Sequence, residues 1–372
     1  MNHSNRWCSQ TLILFVAATL LFSIRAHALE QIIRPYQSVR SAGMGGVLAT
    51  TGLYDENFYG NPARSAANPH FKLQLPDPVI ETTPTTVSVA KDLTGSDVLS
   101  KLGDKAGNNL HGRVQMSFPG VYWQSARNSY SIALLTSGQS DIAIRRSYRL
   151  DPNVIVDVGP HMTFARKYLP GERLAIGATA HLAYRASTRQ NYSLVDFIQG
   201  KSFAPASAGG DGAQADFSVG STYRLPAKFL KWDVDTGLYI TNVLGGGFNN
   251  LKVNFFKNNQ APVNQPFSVG FGAGLKREEL WKLGETMIAF DVLDINNNGK
   301  GSLFRLLHIG AETTFLMLKP RLGINQGYLC AGLGVMLRFF ELELATYGEE
   351  MALNAGGFQD RRIALRLAFQ IQ

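Results

Sequence analysis

The sequence predicts an all-β fold, a transmembrane antiparallel β-barrel, and three observations carry that expectation. Large apolar residues recur at every second position in segment after segment from about residue 112 to the end. These runs are about ten residues or longer, near the 9 to 11 that a tilted strand needs to cross a bilayer and longer than the roughly 5 to 6 of ordinary strands. The chain also opens with what reads as an export signal.

That signal comes first in order. Arg6 supplies a positive start, Leu12 to Ile24 is a mostly apolar run, and Ala26-His27-Ala28 has a small-x-small cleavage pattern. Residues 1–28 are therefore expected to be removed, leaving a mature chain from Leu29. The apolar run is too short for a spanning helix of ~20 residues, and nothing downstream sustains one. Cys8 leaves with the signal, so Cys330 has no partner for an intrachain disulfide. Arg6 and Arg25 leave too, and the remaining excess of basic over acidic residues is modest and spread along the chain. Such a charge reads as solvated surface, and no nucleic-acid partner is expected.

The alternation itself is regular. In residues 173–186, Leu174, Ile176, Ala178, Ala180, Leu182 and Tyr184 share one face, while Gly177, Thr179, His181 and Arg185 share the other. Residues 215–225, 232–240, 267–275, 329–337 and 363–371 repeat the pattern. Successive side chains of a strand point to opposite sheet faces, so period-two patterning means half-buried strands. A secreted β-sandwich or solenoid would alternate as well. A membrane barrel, however, has a polar lumen and an apolar outer face, which suits a mean hydropathy of −0.05. Closure then satisfies every backbone group in lipid. The last strand ends Phe369-Gln370-Ile371-Gln372, with Phe369 expected to take the aromatic terminal role and Gln372 to overhang.

One stretch, residues 40–66, does not alternate: RSAGMGGVLATTGLYDENFYGNPARSA. It is not a dinucleotide fingerprint, because Leu48 stands where the third glycine belongs and polar residues precede it in place of a buried strand. Ser41, Ala42, Gly43, Met44, Gly45 and Ala49, followed by Asn61-Pro62-Ala63, resemble in order the N-terminal segment of the FadL-like outer-membrane transporters, a family of long-chain fatty-acid and aromatic-hydrocarbon channels. Residues 306–348 resemble late strands of the broader superfamily, which includes the type IX secretion barrel and TraF-like proteins.

The resemblance implies about 14 strands with a small N-terminal hatch in the lumen: hatch segment 29–67, barrel 68–372. It marks Ser41, Gly43, Gly45, Gly46, Asn61, Pro62 and Ala63 as the hatch motif. Glycine tolerates positive φ and close approach, so Gly43, Gly45 and Gly46 suit a tightly folded plug, and Asn61-Pro62 is a turn initiator. Gly270, Gly272, Gly274, Gly332 and Gly334 lie opposite the large apolar residues and are expected to leave room for it, the lesser alternative being that they merely relieve strand crowding.

Other constellations are weaker. Asp294-Ile295-Asn296-Asn297-Asn298-Gly299 matches half of a calcium loop, but Arg305 stands where the bidentate Glu belongs, so a polar turn is expected. Ser88 and Lys91 have acyl-enzyme spacing without companion motifs. The mature histidines His70, His111, His161, His181 and His308 are scattered. His181, His308 and Glu312 are expected to face the lumen as polar wall residues. No catalytic residue, metal or cofactor is expected.

The expected function is passive uptake of hydrophobic small molecules, such as long-chain fatty acids or aromatic hydrocarbons, across the outer membrane. The expected partners are outer-membrane lipids, the barrel assembly machinery and a hydrophobic ligand. The alternative is a non-transporting barrel that serves as a docking platform in protein secretion or envelope assembly. A continuous apolar path and a lateral wall gap would favour transport, whereas an occluded lumen and long ordered loops would favour docking.

Overall fold

The computed structural model describes residues 34–371 apart from 70, 93–103, 146–148, 190–191, 194–208, 250, 252, 254, 256–260, 281, 297, 299–300 and 353–355. The expected signal (1–28), His70, the overhanging Gln372 and parts of the Asp294 loop lie outside the described residues.

Fourteen antiparallel strand positions close into a barrel. They are β1 (Lys72–Gln74 and Val79–Thr82), β2 (Asn109–Ser125), β3 (Asn128–Arg145), β4 (Arg149–Tyr168), β5 (Leu174–Arg189, continued by Tyr192–Ser193), β6 (Gly209–Arg224) and β7 (Asp233–Thr241). The second half comprises β8 (Ser268–Arg277), β9 (Thr286–Val292), β10 (Leu307–Thr313), β11 (Leu318–Asn325), β12 (Tyr328–Leu337), β13 (Phe340–Glu350) and β14 (Gln359–Ile371). Each strand pairs with its neighbours in chain order, and both pieces of β1 pair with β14 on one side and β2 on the other, which closes the ring. Closure leaves no edge strand, as a lipid environment demands.

Burial runs opposite to that of a water-soluble protein. Leu329 is 73% exposed on the outer face while Arg321 is 2% exposed within the lumen. Met162, Phe164, Ile176, Leu182, Leu365 and Phe369 likewise point outward, and Asp157, Thr163, Thr179, Arg185, Arg362 and Arg366 point inward and are buried. Charged side chains avoid burial unless paired, so the lumen must supply their partners.

The two barrel ends differ. Connections 126–127 and 338–339 are two-residue turns at the end that carries residues 72 and 371, whereas 83–108, 242–267 and 293–306 are long connections at the other. The longest connections thus gather at one end, as in outer-membrane barrels, although the two-residue turn 326–327 shares that end. Exposed Trp123, Tyr168, Tyr223, Phe315, Phe339 and Phe369 sit near the short-turn end, and exposed Phe304 and Phe358 near the loop end. Aromatic girdles at two interfaces have this placement.

Short helices complete the chain: α1 (Val39–Gly43), α2 (Glu56–Tyr59), a 3-10 turn (Pro62–Ala67) and α3 (Pro84–Asp92). The helix α3 has no counterpart in the period-two reading. It lays Val89 on Ile144 and Leu150, covering the outer extensions of β3 and β4.

Candidate functional site

Residues 34–67 lie within the barrel. Ser38 caps α1 by accepting the Ser41 N–H (2.9 Å), and Ser41 Oγ donates to Val47 O (3.0 Å) across the following turn. That turn is possible because Gly45 (φ +70°) and Gly46 (φ +92°) occupy the left-handed region. Gly43 differs: its backbone is helical, and its role is contact. A Cβ on Gly43 would fall 2.9 Å from Gly332 Cα.

Inward glycines of the wall form the rest of the seat. On one side Gly310 faces Met44, Gly323 faces Gly45 and Gly272 faces Ala49. On the other, Gly177 and Gly220 face Pro62, and Gly237 faces Ala49 O. Asn61 locks this second side: its Nδ2 donates to Ala49 O (2.9 Å) and Ser221 O (3.0 Å), and its Oδ1 accepts the Ala63 N–H (3.1 Å), capping the 3-10 turn that Pro62 opens. Asp291 Oδ2 accepts the backbone N–H of Leu48 (2.6 Å) and of Ala49 (2.8 Å). His308 Nδ1 donates to Gly45 O (2.8 Å), which fixes its tautomer.

Of the five wall glycines singled out in the sequence, Gly272, Gly274 and Gly332 meet the segment. Gly270 instead admits the Tyr239 ring and Gly334 the Arg321 guanidinium, so the expectation that they make room for a hatch is corrected. Gly177, Gly220, Gly237, Gly310 and Gly323 were missed, although each is a glycine on the inward phase of a strand.

Ion pairs bind segment to wall. Arg40 Nη1 meets Glu56 Oε2 (3.0 Å), and Arg40 Nη2 meets Glu312 Oε1 (3.0 Å). Glu312 continues to Arg321 (2.6 Å), Arg321 to Glu343 (2.8 Å) and Glu343 to Arg366 (3.3 Å). Arg366 Nη2 then reaches Asp55 Oδ2 (3.3 Å), back in the segment. Burial opposes the charge on Arg40, yet Glu312 and Glu56 hold its pKa above the ordinary arginine value. Glu312 and His308 thus face the lumen as expected, in roles that anchor the segment.

The same Arg366 group reaches Asp77 Oδ2 (3.1 Å), in the break of β1. Between the pairs Gln74↔Gly120 and Val79↔Gln115, no β1–β2 ladder partners are made, and the β2–β3 register shifts between Ser117 and Gly120. Pro76, Pro78 and Pro119 fall here, and proline has no N–H to give a ladder. Side chains stopper the seam instead: Asp77 Oδ1 accepts the Ser117 N–H (2.8 Å), while Gln74 Nε2 donates to Asp77 Oδ2 (2.6 Å) and Ser117 O (3.2 Å).

On the loop side of the segment is a cavity of about 160 Å³. Tyr36, Phe58 and Tyr59 line it from the segment, His161, His181, Arg185 and Gln214 from the wall, and Phe248 and Gln265 from the 242–267 connection. A run of rings lines it: Tyr36 stacks on Tyr59 (4.7 Å, 13°), Tyr59 meets His161 tilted (4.9 Å, 57°), and His161 stacks on His181 (5.3 Å, 14°). Tyr36 also donates its hydroxyl to Asp55, so a hydrogen-bonded chain leads from the cavity through Arg366 to the seam.

His111 is less isolated than the sequence suggested. Its Nδ1 lies 2.6 Å from Asp141 and its Nε2 2.6 Å from Glu81. With both nitrogens held by carboxylates in a fully buried ring, neither is available to activate a nucleophile. Ser88 Oγ donates to Thr85 O within α3. Asn296 and Asn298 both donate to Phe267 O, tying a loop to the start of β8.

No protein-family model matches the sequence, and no curated protein matches it either. Solved structures do. The CymD monoaromatic hydrocarbon channel superposes with a TM-score of 0.53 at 11% identity, over 93% of this chain and 99% of its own. The toluene transporter TodX of P. putida gives 0.52 at 10% identity, over 91% and 99%. The Ralstonia pickettii toluene transporter TbuX gives 0.50 at 11% identity, over 91% and 98%. At such identity the likeness is one of fold, and it agrees with the resemblance seen in the hatch-motif residues.

Proposed function

We propose that this protein is an outer-membrane channel for passive uptake of hydrophobic small molecules, with residues 34–67 acting as its hatch. The shared fold of hydrocarbon channels and the exposed apolar band between aromatic girdles support the placement. The carrying observation is the cavity on the loop side of the segment, joined by hydrogen bonds to a break in the wall ladder. A solute would enter between the outer loops, rest against the Tyr36–Tyr59 stack, and leave through the β1–β2 seam or past a displaced hatch. The walls do no chemistry. Each step is partition between apolar surroundings, for which burial supplies about 25 cal/mol per Å² of apolar surface.

The packed ion pairs around Arg321 and Glu343 also fit a barrel that docks envelope or secreted proteins without conducting. Uptake separates the two readings. Cells lacking a channel of their own, with and without this protein in the detergent-extracted outer-membrane fraction, are given a radiolabelled monoaromatic hydrocarbon or long-chain fatty acid. Faster accumulation of either is expected with the protein. Equal rates for both would reject the channel.

A further inference from the structure

The cavity is polar in a way that a bare hydrocarbon does not answer. Gln214 is 2% exposed, lines the cavity from β6, and its Oε1 has no hydrogen-bond partner among the described residues. His181 lines it from the adjacent β5, and its buried Nδ1 is likewise unpartnered there. A buried polar atom left unsatisfied is costly, so a ligand that satisfies it gains what a hydrocarbon forgoes. A volume near 150 Å³ is enough for benzene, so about 160 Å³ fits a single ring. The Tyr36–Tyr59 stack and the tilted His161 beside it offer that ring aromatic contacts.

Charge narrows the class. The lining holds Arg34 and Arg185 against Asp157 and Asp294, an even balance. Arg185 is gripped by Asp157 through two hydrogen bonds (2.6 and 2.8 Å) and covers the Phe248 ring at 4.4 Å. No net charge is left among the described lining residues to attract an ion. We propose that this cavity binds an uncharged single-ring aromatic compound bearing a hydroxyl, the phenol class, in preference to the bare hydrocarbon. The hydroxyl both donates and accepts, so it answers the Gln214 amide in either orientation, and the His181 nitrogen in either tautomer. This rests on the uptake reading and names its substrate class.

The test uses the full chain in lipid nanodiscs, with empty nanodiscs subtracted, and calorimetric titration of toluene, p-cresol and benzoate. Entry of the same three into proteoliposomes is measured in parallel. p-Cresol is expected to bind at least about tenfold tighter than toluene, and benzoate more weakly than p-cresol. Gln214→Leu should bring the cresol-to-toluene ratio below about threefold. Toluene binding as tightly as p-cresol, or benzoate binding tighter, overturns the phenol class and leaves the channel standing. Protein-dependent entry without binding of any of the three overturns the cavity as the ligand site, again leaving the channel. Neither binding nor entry overturns both.

Discussion

Gly43 of the luminal segment and Gly332 of β12 meet backbone to backbone: a Cβ on Gly43 would lie 2.9 Å from Gly332 Cα, and one on Gly332 3.0 Å from Gly43 Cα. Neither backbone can yield without moving α1 off the wall. Gly332→Ala is therefore expected to destabilise the seated segment by about 1–3 kcal/mol, the usual range for overpacking. Gly138→Ala, where a Cβ meets nothing within 4 Å, is the matched control and should be nearly neutral. Thermal unfolding and leak of small polar solutes are the readouts, and equal behaviour of the two variants would contradict the glycine seat.

Arg40 is the electrostatic counterpart of that contact. Arg40→Met strips Glu56 and Glu312 of a buried partner, and breaking such a pair costs about 3–5 kcal/mol. Because Arg40 belongs to the segment, the loss should appear as increased leak before the barrel itself unfolds. A double-mutant cycle of Arg40→Met with Glu312→Gln should show a coupling of about 1 kcal/mol or more. Strict additivity would mean that the pair does not hold the segment.

The seam makes a separate prediction. Asp77→Ala strands the Ser117 N–H, at a cost of about 1–3 kcal/mol, and takes one acceptor each from Gln74, which keeps Ser117 O, and Arg366, which keeps Asp55 and Glu343. Leak through the wall should rise with the hatch still seated, whereas Asp77→Asn keeps an oxygen for Ser117 and should leak less. Leak from Asp77→Ala equal to that of the parent would mean that the ladder break offers no passage.

The strands were legible because one face of each is apolar and exposed while the other is polar and buried: Ile176 and Leu182 stand out against Thr179 and Arg185 whatever their neighbours are. The turns of the luminal segment were legible because Gly45 and Asn61-Pro62 are locally specified by backbone geometry. The seat was only partly so. Gly272 and Gly332 followed from inward phase, but Gly270 has the same phase and receives Tyr239, a matter of which side chain lies across the strand pair. The ion-pair ring escaped, because Arg40 lies 272 residues from Glu312, and Glu312, Arg321, Glu343 and Arg366 stand on four different strands that meet only through barrel register and closure. The seam had a visible sign in Pro76 and Pro78, which cannot sustain a ladder.

Deleting residues 40–63 tests the hatch most directly. The deletion removes Gly43, Arg40, Asp55 and Asn61 at once, yet takes away no strand-to-strand ladder bond, since the strands begin at Lys72. Liposome swelling with small sugars should therefore be fast for the deletion and slow for the parent, with both barrels equally inserted. Equal, slow swelling by a correctly inserted deletion would contradict a segment whose role is to close the lumen.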